Sequence, residues 1–295
     1  MGAWVHLCGR LQVEWDGERL EEALPGRQGR LLFTFLTLHR ERLVRRDELV
    51  EALWSEEGPP PGGDALLRPP LSRLRRALGP DRLEGRAELA LRYPEDTWID
   101  REAVGDGLRL SRASLAAGDA PAGWEQGREA LAIAEGGLLP GIEVGWLESF
   151  RTELEEQRIE LLETVASAGA QLGEGELHEA EQAARRAIEI SPFRESARLA
   201  LLEVLRQRGN TAEALVAFEE FRTLLREELG STPGSELRAL HEQLLSAEPV
   251  ERRSPPSDAG DRPPSHPERL SNRLVQALAA PWVERGPLLA RLREA

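Results

Sequence analysis

The sequence predicts a mainly α protein with a small β component: an N-terminal winged helix-turn-helix followed by a C-terminal α-helical domain of tetratricopeptide-like repeats. Three observations carry that prediction. Within the first 100 residues, short alternating stretches give way to three amphipathic segments, the third rich in arginine, and then to a basic hairpin pattern. From Arg101 the chain changes to long runs of Ala, Leu, Glu and Arg. Within those runs Ala180 and Ala214 stand 34 residues apart, the period of a tetratricopeptide unit.

Residues 4–7 and 11–15 alternate apolar with polar, and Asp16-Gly17 is a tight-turn dipeptide. A third short strand is expected near Arg19-Leu20. Residues 28–39 place Leu31, Leu32, Phe35, Leu36 and Leu38 at helical spacing, which predicts a well-buried helix. A second helix is expected over 44–54, with Leu49, Val50, Leu53 and Trp54 on its apolar side. The loop 55–63, from Ser55 to Gly63, reads SEEGPPPGG and cannot form regular structure. Residues 64–79 form the third helix, and 82–93 a two-stranded ribbon around Gly85-Arg86.

Beyond Arg101, helices are expected over 102–117, 122–135, 146–172, 177–190, 195–207, 212–229 and 235–246. Ala187 and Pro192 follow Ala180 by seven and twelve residues, the small-residue and proline spacing of a repeat unit. Small residues there let paired helices approach closely, and such repeats build scaffolds for protein partners. Phe221 replaces alanine in the second unit, which is therefore degenerate. Residues 249–267 are a proline-rich linker, and 268–295 a short helical tail. The expected domains are thus 1–100, the winged helix-turn-helix, and 101–248, which is helical, followed by linker and tail.

Composition excludes several classes. The chain has 295 residues, is 40% hydrophobic and 31% charged, and holds no lysine. It lacks a run of 18 apolar residues and a signal-peptide pattern, so a cytoplasmic protein without a membrane span is expected. Cys8 is the single cysteine, and the five histidines show no ligand spacing, so neither metal nor disulfide is expected. There is no nucleophile elbow and no phosphate-binding loop, and most carboxylates have arginines three or four residues away. No catalytic residue, no cofactor and no enzyme activity are expected.

The net charge of −14 is unevenly spread. Residues 68–92 hold seven arginines against three acids. DNA binding depends on the local field rather than on the overall sum. In the third helix, Leu67, Leu71, Leu74 and Leu78 fall at i, i+4, i+7 and i+11, a narrow apolar stripe. Arg68, Ser72, Arg75 and Arg76 lie on the other side of the wheel. A third helix of this kind enters the major groove while the hairpin touches the neighbouring backbone. Arg73, Arg75, Arg76 and Ser72 are the expected groove contacts, and Arg86 and Arg92 the expected backbone contacts. Pro69-Pro70 predicts that the helix starts near Pro69 or kinks there, which leaves the part played by Arg68 open.

Residues 45–54 (RRDELVEALW), 71–79 (LSRLRRALG) and 93–100 (YPEDTWID) resemble the OmpR-type winged helix. The variant is the one at the N-terminus of the Streptomyces antibiotic regulatory protein (SARP) family. Residues 191–230 and the loop 136–146 resemble the bacterial transcriptional activator domain that follows it in that family. The resemblance implies a transcription regulator, expected to be an activator, whose partners are double-stranded promoter DNA and further copies of itself arranged on direct repeats. It also implies that the loop 55–63 faces RNA polymerase, and that the helical domain serves oligomerisation, signal response or polymerase contact. Two other readings stay open. One is a protein-interaction scaffold with weakened, salt-insensitive DNA binding. The other is the N-terminal part of an ATP-coupled regulator.

Overall fold

The computed structural model describes residues 2–54 and 62–246. Most of the loop 55–63, the linker 249–267 and the tail 268–295 lie outside the described residues.

Two small sheets and three helices build the N-terminal part. Strands β1 (Gly2–His6), β2 (Gln12–Trp15) and β3 (Glu18–Arg19) form an antiparallel meander. Alternation puts Ala3, Val5, Val13 and Trp15 on the buried face. Helix α1 (Gly26–Leu38) follows, with Leu31, Leu32, Phe33 and Leu36 all but sealed from solvent. Strand β4 (Val44–Arg45) leads directly into α2 (Arg46–Leu53). Glu48 in the first turn of α2 accepts a 3.1 Å hydrogen bond from the Arg45 backbone N–H and satisfies an end of the chain entering the helix. Helix α3 (Gly63–Leu78) packs on both α1 and α2. Strands β5 (Leu83–Glu84) and β6 (Glu88–Leu91) make the hairpin, and β4 pairs with β6 to widen it to three strands in the order β4-β6-β5.

A further strand, β7 (Asp96–Ile99), pairs in parallel with β1, matching Trp4 to Trp98 and Val5 to Ile99. The first sheet therefore runs β3-β2-β1-β7. Neither β4 nor β7 was expected as a strand from the sequence.

Helix α3 keeps the expected span of 64–79 to within a residue and excludes a start at Pro69. It begins at Gly63 and runs through Pro69 and Pro70, so neither proline marks its start. Proline lacks an N–H, and the Ala65 and Leu66 carbonyls lose their helical donors. The local loss is offset by tertiary burial: Leu67, one turn before Pro70, is fully buried, and Pro70 is buried beside it. Arg68 consequently lies inside the helix, one turn before Ser72.

The helical part comprises α4 (Asp100–Ala116), α5 (Ala120–Ala134), α6 (Leu147–Leu172), α7 (Leu177–Ile190), α8 (Glu195–Gln207), α9 (Thr211–Leu229) and α10 (Ser235–Ser246). Each packs on the next, and α4, α6, α8 and α10 also touch in series, as stacked helical hairpins do. The small residues singled out by spacing are the ones at the contacts: Ala180, Ala187 and Ala214 are fully buried. Gly169 of α6 leaves no room for a methyl, since a Cβ there would stand 2.6 Å from both the Ala180 Cβ and the Trp124 ring. Phe221, in the place of an alanine, is buried with the Arg198 guanidinium 4.9 Å from its ring centre.

The two parts are clasped together. Asp100, at the start of α4, accepts hydrogen bonds from the Leu7 and Cys8 backbone N–H groups at 2.8 Å. Leu139 donates its N–H to the Leu7 carbonyl (2.8 Å), and Gly9 to the Gly137 carbonyl (2.7 Å). Arg40 forms a two-pronged pair with Glu102 at 2.6 and 2.5 Å.

Candidate nucleic-acid interface

The interface is built on the amphipathic division of α3. Leu67, Leu71, Leu74 and Leu78 are at most 1% exposed, which holds the helix on α1 and α2 along one edge. Four such side chains contribute about 1.5–3 kcal/mol each towards seating it. The opposite edge is open: Arg68, Ser72, Arg73 and Arg76 are exposed. Among the described residues Arg68 and Arg76 have no ion-pair partner. Arg73 makes only a long hydrogen bond, 3.4 Å, to the Pro69 carbonyl of its own helix.

Arg75 is placed differently. It is half-buried and donates to the Gly85 carbonyl at 2.7 Å, so it braces α3 against the hairpin. The hairpin turn depends on that glycine. Gly85 has φ +89°, and a Cβ would lie 1.8 Å from the Glu88 carbonyl oxygen. The turn carries Arg86, which is exposed, and its carbonyl accepts a 3.3 Å hydrogen bond from Arg46 of α2. Arg92 is also exposed but is paired with Glu84 across the hairpin at 2.6 Å. The seven expected residues therefore divide into two groups. Arg68, Ser72, Arg73, Arg76 and Arg86 face outward with few competing partners, while Arg75 and Arg92 are engaged within the protein.

Sequence reasoning did not find the bracing roles of Arg46 and Arg82. Arg82 sits 4.9 Å from the Trp15 ring centre and pairs with Asp16 at 2.9 Å, which ties the hairpin base to the first sheet. Asp16 stands in the Asp-Gly turn read from the sequence, but its partner was not legible there. Between the hairpin and α2 lies an open groove of about 670 Å³ lined by Leu43, Arg45, Arg46, Glu84 and Glu88. Its mixed charges do not form a cation or anion trap. Among the described residues no group of three or more His, Cys, Asp or Glu could hold a metal ion, and no helix is long and apolar enough to cross a membrane.

Comparison with known proteins places this geometry. The bacterial transcriptional activator domain family matches residues 99–245. Regulatory protein AfsR of Streptomyces coelicolor is 33% identical over 245 residues, which is 83% of this chain and 24% of that protein. Transcriptional regulatory protein EmbR of Mycobacterium tuberculosis is 29% identical over 252 residues, covering 83% of this chain and 64% of that one. The chain thus spans about a quarter of the length of the AfsR relatives. A solved structure of M. tuberculosis EmbR in complex with a low affinity phosphopeptide superposes with a TM-score of 0.72 at 26% identity, covering 84% of this chain and 66% of that chain. With the winged helix-turn-helix, the helical repeats and these relatives in one order, the chain belongs to the SARP-like family of transcriptional regulators.

Proposed function

We propose that the chain is a sequence-specific DNA-binding activator that reads promoter DNA with α3 and grips the adjacent backbone with the hairpin. In this reading residues 1–100 are the OmpR-type DNA-binding domain and 101–248 the bacterial transcriptional activator domain. The observation that carries the reading is the exposed row Arg68, Ser72, Arg73 and Arg76 opposite a sealed leucine stripe. Arginines free of carboxylate partners are available to phosphate oxygens and to guanine O6 and N7. Arg86, carried on the glycine turn, suits a neighbouring phosphate. The helical repeats serve oligomerisation on DNA, signal response or contact with RNA polymerase, and their tight Gly and Ala contacts support a rigid scaffold for such a partner.

The test is fluorescence anisotropy of the full chain on duplexes from upstream of its own gene, across a salt series. Log K should fall with log salt at about −0.9 per phosphate contact, and Arg76→Ala or Arg86→Ala should flatten the slope by about one where the residue meets phosphate. Weak binding that ignores salt, with both variants matching the parent, would point instead to the scaffold reading.

A further inference from the structure

The exposed edge of α3 is not uniformly cationic. Ahead of the arginines stand Leu66, which is 43% exposed, and Pro69, also exposed. Leu66, Pro69, Arg73 and Arg76 are spaced i, i+3, i+7 and i+10, so they share one face of the helix. Leu66 closes the first turn of α3 and Pro69 lies on the second, so the two place adjoining apolar surface on the open side of the helix. Pro69 also removes the helical donor to the Ala65 carbonyl, so this proline is not kept for helix stability.

We propose that Leu66 and Pro69 form an apolar pad that contacts thymine C5-methyl groups in the major groove, upstream along the helix from the guanine-seeking Arg73 and Arg76. The inference rests on α3 being the reading helix. The major groove offers one apolar feature, the thymine methyl, and apolar side chains are its natural contacts. At 1.5 Å per residue, Leu66 and Arg76 are ~15 Å apart along the helix, about four base-pair steps at 3.4 Å. The face therefore reads a composite site, thymine at one end and guanine at the other, and the pad discriminates thymine from cytosine by shape rather than by charge.

The experiment uses duplexes enriched from a random pool by the full chain, with each thymine replaced singly by deoxyuridine, a change that removes only the methyl. For the parent, one or two positions should lose affinity about four-fold, the worth of one buried methyl group. Leu66→Ala and Pro69→Ala should bind the thymine and uracil duplexes alike at those positions. Both side chains are exposed, so neither change opens a core cavity. A melting temperature no lower than the parent's confirms that each variant is folded, and Pro69→Ala, which restores the donor to the Ala65 carbonyl, should raise it. Arg73→Ala should weaken binding to both duplexes by the same factor and keep the preference for thymine. Salt-dependent binding with no uracil-sensitive position, or a uracil penalty undiminished in both pad variants, overturns the pad alone. Failure of the pool to enrich any duplex overturns the DNA reading and the pad with it.

Discussion

Trp146 donates its indole N–H to the Ala52 backbone carbonyl at 3.0 Å, so a residue immediately before α6 caps the end of α2. The same ring meets Phe35 of α1 edge-on, with centres 5.0 Å apart. One side chain thus joins the helix-turn-helix to the start of α6, the third and longest helix described in the helical part. The last carbonyls of a helix have no intrahelical donor, and this one is satisfied from the neighbouring part. Trp146→Phe keeps the ring contact and removes the donor. Stability should fall by about 1 kcal/mol, with a melting temperature about 2–4 °C lower. Calorimetry on the two chains checks this, and an unchanged melting temperature would show that the hydrogen bond contributes nothing net.

Asp100 provides a pH signature. Its carboxyl is 1% exposed, and burial pushes its pKa up to about 6, against the pull of hydrogen bonds from the Leu7, Cys8 and Arg101 backbone. The folded chain therefore holds this proton more tightly than the unfolded chain does between about pH 4 and 6. The contribution of this group to stability is full below that window and declines as pH rises through it. The change amounts to about 3 kcal/mol at most. Urea unfolding of the parent and Asp100→Asn at pH 4.5 and 7.5 isolates it, because asparagine does not titrate. The parent should gain on the variant at the lower pH, and a gap equal at both pH values would contradict the assignment.

Gly85→Ala tests the hairpin turn. The backbone there is left-handed and the added methyl would strike the Glu88 carbonyl. The hairpin must distort, at a cost of about 1–3 kcal/mol. DNA affinity should drop with it, because Arg86 loses its position. The matching observation is a flatter salt slope in the anisotropy titration together with a lower urea midpoint.

Arg75 and Arg76 are neighbours with different expected behaviour. Arg75→Ala removes the donor to Gly85, and amide hydrogen exchange over residues 84–88 should accelerate. Arg76→Ala should leave those amides unchanged. Equal exchange in the two variants would mean that the brace has no effect on hairpin order.

Much of this architecture was legible because it follows periodicity. The leucine stripe of α3 and the seven helices beyond Arg101 come out within a few residues of their sequence-based bounds, since each buries one face. The hairpin was marked by Gly85 between apolar alternations. What escaped was set by distant partners. Strand β7 is four residues long and pairs with β1 more than 90 positions away, so no local pattern announces it. The bond from Arg75 to Gly85 depends on where the hairpin lands. At Pro69-Pro70 a local rule was outweighed by burial of Leu67 and Pro70. The clasp through Gly9, Gly137 and Leu139 is made of backbone groups, which carry no side-chain signature.

The parallel pairing of β1 with β7 also sets a timetable. Gly2 finds Asp96, and Val5 finds Ile99, only after nearly the whole N-terminal part has been synthesised. At 5–20 residues per second, that interval is roughly 5–20 s on a translating ribosome. Until then β1 can pair only with β2, and its other edge stays open to any strand that meets it. The helical hairpins that follow close through local contacts as they emerge. The winged part is thus begun first and finished at the moment α4 begins, which makes the growing chain most exposed to mispairing between residues 20 and 95.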